Sequence, residues 1–123
     1  MSENKKYLSV IIPCYNSAEY MHVSIESALV GGEDVEILIV DDGSTKDNTY
    51  EIAKQYEEKY PTIIRAITQE NKGHGGAVNT GIANATGEYI KVLDSDDWVN
   101  QDAYYEVLKT LYELTRGAET VDL

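Results

Sequence analysis

The chain alternates short runs that are apolar at nearly every position with longer stretches in which apolar residues return every three or four. Tyr7-Leu8-Ser9-Val10-Ile11-Ile12-Pro13 is the first run. Its β-branched content, apolar on both faces, predicts a central strand of the kind parallel sheets contain. Pro13 has no N–H to give to a ladder and is expected to end it. Ser17 is the expected N-cap of a helix carrying Ala18, Met21, Ile25, Ala28 and Leu29 at helical spacing. Gly31-Gly32 is expected to close that helix. Val35-Glu36-Ile37-Leu38-Ile39-Val40 predicts a second strand, and Asn48 with Glu51 predicts a capping box for a second helix. The buried stripe of that helix is Ile52, Ala53, Tyr56 and Tyr60, and Pro61 stops it.

Thr62-Ile63-Ile64-Arg65-Ala66-Ile67-Thr68 is less apolar and carries a charge, which suits an edge strand. Asn71-Lys72-Gly73-His74-Gly75-Gly76 reads as a glycine-rich loop. Ala77, Val78, Gly81, Ile82 and Ala85 follow as a third helix of small residues. Each interior glycine costs such a helix about 1 kcal/mol against alanine, so its backbone is expected to approach something closely. Gly87 opens a fourth strand, Tyr89-Ile90-Lys91-Val92-Leu93. Asn100 is the expected cap of a last helix with Tyr104, Val107, Leu108, Leu111 and Leu114 on one face, and the tail from Gly117 shows no period. Strand and helix alternate throughout, which means right-handed βαβ crossovers. The expected fold is α/β: a doubly wound, mostly parallel sheet of order 3-2-1-4 with helices on both faces.

The strands end in polar residues, and this gives the pattern a chemistry. The first strand runs into Tyr15-Asn16, the second into Asp41-Asp42, and the fourth into Asp94-Ser95-Asp96-Asp97-Trp98. An extended backbone would put Asp94 and Asp96 on one side. Two carboxylates ~4 Å apart repel by ~4 kcal/mol at a surface-like dielectric. A fold that keeps them together has a cation there or solvates both. Taken alone, the stretch fits a Mg²⁺ or Mn²⁺ site and a solvated acidic turn equally well. In doubly wound sheets, ligands sit outside the carboxyl ends of the strands where the strand order reverses, here between strands 1 and 4. That crevice would hold Tyr15 on one lip and the acidic stretch on the other, with Asp42 one strand over. The set suits a nucleoside diphosphate: a ring to stack on a base, Asp42 for base N–H groups, Asp94 for ribose hydroxyls, Asp96 for the metal on the diphosphate. His74 reads as a loop residue, Cys14 as a small buried hydrophobe, and Trp98 as core or interface.

Composition narrows the classes. The chain has 123 residues, 42% hydrophobic and 26% charged, the size and balance of one globular domain with its compact part at about 6–116. No apolar run approaches the ~20 residues of a membrane span. The net charge of −12 excludes the basic footprint that nucleic-acid binding needs. An anionic ligand would need a metal as its bridge. The single cysteine and the lack of a visible signal peptide fit a cytoplasmic protein. No Walker A, GxSxG or EF-hand pattern is present.

Three strings, SVIIPCYN, VDDGSTKDNT and NKGHGGAVNTGIANATGEYIKVLDSDD, come in order, each reaching the C-terminal end of a strand. Together they resemble the N-terminal half of family 2 glycosyltransferases, from Ser9 to about Val99. The resemblance implies the GT-A fold and a nucleotide-diphosphate sugar as donor, with a UDP-sugar expected. It implies nucleotide-sugar contacts at Tyr15, Asn16, Asp42, Lys72, Asp94 and Ser95. It implies Mg²⁺ or Mn²⁺ on Asp96 and Asp94, the DxD motif. It implies metal-dependent, inverting hexosyl transfer to the hydroxyl of a glycan or lipid acceptor, in a parent placed at the cytoplasmic face of the membrane. Val78 stands where many members have arginine. The family's catalytic base follows the DxD, so it is expected beyond residue 123, and the chain is expected to be an inactive N-terminal part. The fourth-strand edge would then be open to self-association. The competing reading is a non-catalytic binding or assembly module of the same fold.

Overall fold

The structure, a computed structural model, describes residues 6–120. The elements are β1 (Leu8–Cys14), α1 (Met21–Leu29), β2 (Val35–Asp41), α2 (Thr49–Lys59), β3 (Ile64–Thr68), α3 (Gly73–Asn84), β4 (Tyr89–Val92) and α4 (Gln101–Thr120). They form one four-stranded sheet of order β3-β2-β1-β4, every neighbouring pair parallel, as the alternation predicted. β1 and β2 are buried at every position and take the centre. β3 and β4 are shorter and more polar or exposed, and take the edges.

The period of two divides the central strands between two layers. Val10, Ile12, Ile37 and Ile39 join Met21, Ile25, Ile52 and Tyr56 of α1 and α2 in the larger core, which also takes Tyr104 and Leu111 of α4. Ile11, Leu38 and Val40 face the other way, against Ala77 of α3. Full burial of such a side chain is worth about 1.5–3 kcal/mol, so the β1–β2 pair anchors the fold. α3 lies close on the sheet: a Cβ on Gly81 would fall 2.4 Å from Ile11 Cγ2. That close approach accounts for the glycine in a helix whose intrinsic propensity is poor.

Several local expectations are corrected. β1 continues through Pro13 to Cys14. Leu93 N donates to Ile11 O and Asp42 N to Cys14 O, so odd residues of β1 bond β4 and even ones bond β2. The nitrogen of Pro13 therefore faces the β4 side, beyond β4's last residue, and no ladder bond is lost. α1 starts at Met21, not beside Ser17; residues 17–20 form a turn in which Ser17 O accepts from Tyr20 N and Met21 N. The Asn48–Glu51 capping box does not form. Asp47 takes that place, its Oδ1 accepting from Thr49 N and Thr49 Oγ1. The glycine-rich loop is shorter than expected because α3 begins at Gly73. α4 runs past Gly117 to Thr120. Asn100 caps it, Oδ1 accepting from Ala103 N at 3.0 Å. Of its expected stripe, Val107 and Leu114 are exposed. Trp98 is 63% exposed, which removes it from the core.

Candidate functional site

The C-terminal ends of β1, β2 and β4 meet at the point where the strand order reverses. A cleft of about 410 Å³ opens there. Tyr15, Asp42, Asp94, Ser95 and Asp96 line it, together with Pro13, Cys14, Ser17, Tyr20, Asn71, Gly73, His74 and Ala77. Five of the seven expected site residues are thus brought together. Asn16 and Lys72 are not among the lining residues.

Each position has a local cause. Asn16 has φ +49, in the left-handed region that asparagine tolerates better than most residues. Its Oδ1 accepts from Thr45 N and Lys46 N, and its own N–H donates to Ser44 Oγ. It staples the loop after β1 to the loop after β2. Tyr15, half exposed, stands beside it on the rim. Lys72 reaches the site through its backbone: Lys72 N donates to Asp42 Oδ1 at 2.8 Å.

Asp42 is almost fully buried. Besides Lys72 N, its Oδ1 accepts from Gln69 Nε2 at 3.0 Å, and its Oδ2 accepts from Gly73 N at 2.9 Å. One buried carboxylate therefore satisfies two backbone N–H groups at the start of α3, where negative charge is favoured. A carboxylate has about four acceptor sites, so three are already used. Asp41 is also structural: it accepts from Ser44 N and Thr68 Oγ1.

The acidic stretch is a turn and not an extended strand, which corrects the period-two argument. β4 ends at Val92, and Asp97 N bonds back to Asp94 O at 3.0 Å. Asp94 and Asp96 are nevertheless both exposed and both line the cleft, while Ser95 between them is buried. Ser95 Oγ lies 2.9 Å from Ser17 Oγ, and Ser17 Oγ accepts from Tyr15 N. From α1, Ser24 Oγ is shared between the carbonyls of Asp94 and Asp97. Asp97 turns its carboxylate to its own neighbour, accepting from Trp98 N.

The sequence pattern puts His74 in a loop. It lies in the first turn of α3, and its Nε2 is 3.0 Å from Asp94 Oδ1. No sequence signal joins two residues on separate elements in this way; only the docking of α3 beside β4 does. Cys14 lines the cleft as a buried thiol. Burial pushes its pKa up to about 12, with the nearby Asp41 carboxylate adding to the effect. It stays protonated at neutral pH and is no nucleophile.

Three carboxylates and no lysine or arginine are among the described residues lining the cleft. Oxygen donors of this kind fit Mg²⁺ or Mn²⁺. Among the described residues no group of three or more His, Cys, Asp or Glu side chains is placed to hold a metal. A cation here would have to complete its shell with water and with oxygens of a ligand, which is the usual habit of Mg²⁺ beside phosphates.

Comparisons with known proteins bear on the family and the fold. Residues 9–120 match the family model of Glycosyl transferase family 2. The glycosyltransferase alr2836 of Nostoc sp. (strain PCC 7120) is 50% identical over 91 residues, which is 73% of this chain and 28% of that protein. The crystal structure of Staphylococcus aureus TarS 1–349 in complex with UDP superposes with a TM-score of 0.74 at 28% identity, over 87% of this chain and 32% of that one. The mannosyltransferase PcManGT of Pyrobaculum calidifontis, in complex with GDP-Man and Mn²⁺, superposes with a TM-score of 0.72 at 25% identity, over 87% and 32%. The chain thus spans about a third or less of the length of these relatives. With a GT-A sheet, a cleft at its switch point and a family match over most of its length, the chain belongs to glycosyl transferase family 2.

Proposed function

We propose that the chain binds a nucleoside-diphosphate sugar through a divalent cation held by Asp96 and Asp94. The observation that carries this reading is the charge of the cleft: an anionic ligand enters a site walled by carboxylates only with a cation between them. Mg²⁺ or Mn²⁺ would neutralise the diphosphate and, as a Lewis acid, ease its departure. Tyr15 stacks on the base. The one acceptor site left on Asp42 takes a base N–H, and Asp94 and Ser95 border the ribose and phosphates. Asn16 and Lys72 act through the loops they hold. UDP and GDP-Man in the two structural relatives support a nucleotide-sugar donor, with a UDP-sugar as the first candidate. The parent protein would transfer the sugar with inversion to a glycan or lipid hydroxyl, using a base that this chain does not supply. The chain is then the donor-binding part, inactive alone, of an enzyme working in the cytoplasm or at the cytoplasmic face of a membrane. Among the described residues no helix is long and apolar enough to cross a membrane. Calorimetry with UDP and GDP is expected to show binding in millimolar Mn²⁺ and none in EDTA. Equal binding in EDTA, or no binding of either nucleotide, overturns the proposal.

The same reading extends to the β4 edge. Tyr89, Ile90 and Val92 are exposed on it, and among the described residues the strand pairs on one side only. A second copy can add there, but a net charge of −12 holds copies apart at low salt. Sedimentation is expected to show a dimer that grows as salt screens that charge. A monomer at all concentrations in high salt excludes it.

A further inference from the structure

We infer that His74 is a positioning residue for the Asp94 carboxylate, fixing the rotamer that leaves one oxygen available to the cleft. The inference rests on the reading of Asp94 as a metal and donor ligand.

Both ends of the contact are anchored. Asp42 holds the start of α3 through Lys72 N and Gly73 N. Gly73 has φ +82, a left-handed conformation that sets the chain's entry into the helix. His74 is the next residue, so its ring is carried by the helix and not by a free loop. On the other side, Ser24 Oγ is shared between the carbonyls of Asp94 and Asp97, tying both ends of that turn to α1. Between the two anchors, His74 Nε2 reaches Asp94 Oδ1 at 3.0 Å. Donation requires the proton on Nε2. Among the described residues, Asp94 Oδ2 has no hydrogen-bond partner and remains free for a ligand.

Stability does not account for the pair. The two side chains are 64% and 59% exposed, and exposed pairs contribute little. Orientation does account for it. A carboxylate on an exposed turn samples several rotamers, and one fixed N–H selects among them. Removing an exposed partner that orients a ligating carboxylate is expected to change metal affinity by about 2–5-fold.

The test titrates Mn²⁺ into the 123-residue chain with UDP or GDP present, following free Mn²⁺ by electron paramagnetic resonance and the melting temperature in parallel. His74→Ala is expected to weaken Mn²⁺–nucleotide binding about 2–5-fold, with an unchanged melting temperature without ligand. His74→Gln is expected to restore most of the affinity, because its amide N–H₂ can reach the same oxygen. Undiminished affinity in His74→Ala overturns the inference. So does an equal loss in His74→Gln, or a melting temperature lowered by several degrees. If the unsubstituted chain takes up no Mn²⁺ with either nucleotide, the donor-site reading itself falls and the inference with it.

Discussion

Asp42→Ala is expected to lower the melting temperature of the chain by about 10–25 °C. The carboxylate is 4% exposed and accepts three hydrogen bonds of 2.8–3.0 Å. Hydrogen bonds to a charged group are worth about 1.5–3 kcal/mol each, and donors left buried without a partner add their own desolvation cost. The three bonds share one acceptor and are not additive, so a total of about 3–5 kcal/mol is expected. A domain of this size converts 1 kcal/mol into roughly 3–5 °C. The loss reaches the site as well, because the released N–H groups are those that start α3 and so place His74. Asp42→Asn keeps one acceptor oxygen and should lie between wild type and alanine. Urea and thermal denaturation measure both variants. A melting temperature within a degree or two of wild type for Asp42→Ala would show that the loop is held by something else.

Glu36→Gln is expected to cost about 3 kcal/mol at pH 7 and progressively less in acid, as pH falls below 4.5 toward the depressed folded value. Glu36 sits buried in β2. Its Oε2 accepts from Ser9 Oγ at 2.7 Å and Thr86 N at 2.8 Å, and its Oε1 lies 3.5 Å from Arg65 Nη1. Burial alone would raise its pKa, but the hydrogen bonds from Thr86 and Ser9, with the Arg65 charge, outweigh burial and hold it below its ordinary 4.5. A carboxyl depressed in the folded state binds its proton more weakly there than in the unfolded chain. Its stabilisation is therefore complete above about pH 4.5 and is lost as pH falls through the lower, folded value. Asp47 and Glu57 are shifted the same way and remain in the variant. The diagnostic is thus the difference in slope: stability against pH should fall less steeply below pH 4.5 in Glu36→Gln than in wild type. Parallel curves would mean that Glu36 does not carry this part of the acid sensitivity.

The fold was legible because its cause is written locally. Runs such as Val10-Ile11-Ile12 and Ile37-Leu38-Ile39, apolar on both faces, belong at the centre of a covered parallel sheet, and the structure puts them there. Arg65 marked the third strand as an edge, and the structure puts it there. The element boundaries were less legible. Ser17 and Asn48 have the composition of helix caps, but tertiary partners claim them or their neighbours. Ser17 N bonds Thr49 Oγ1, and Asp47 Oδ2 accepts from Ala18 N, so each of the two turns is held by the other. Pro13 looks like a strand end because the sequence does not say on which side its nitrogen lies.

By itself, the sequence determined the order of strands and helices, the position of the polar residues at the strand ends, and hence a cleft that gathers Tyr15, Asp42, Asp94, Ser95 and Asp96. Hydrophobic period and strand-end chemistry are local properties, and topology follows from them by few alternatives. Only the tertiary structure decided what each carboxylate does. Asp42 turns inward to hold α3, Asp41 holds the loop beneath it, and Asp94 and Asp96 stay exposed on a turn, with His74 across from Asp94. Side-chain type is the same in all four. Burial and the direction of neighbouring N–H groups separate them, and both arise only when distant elements pack together.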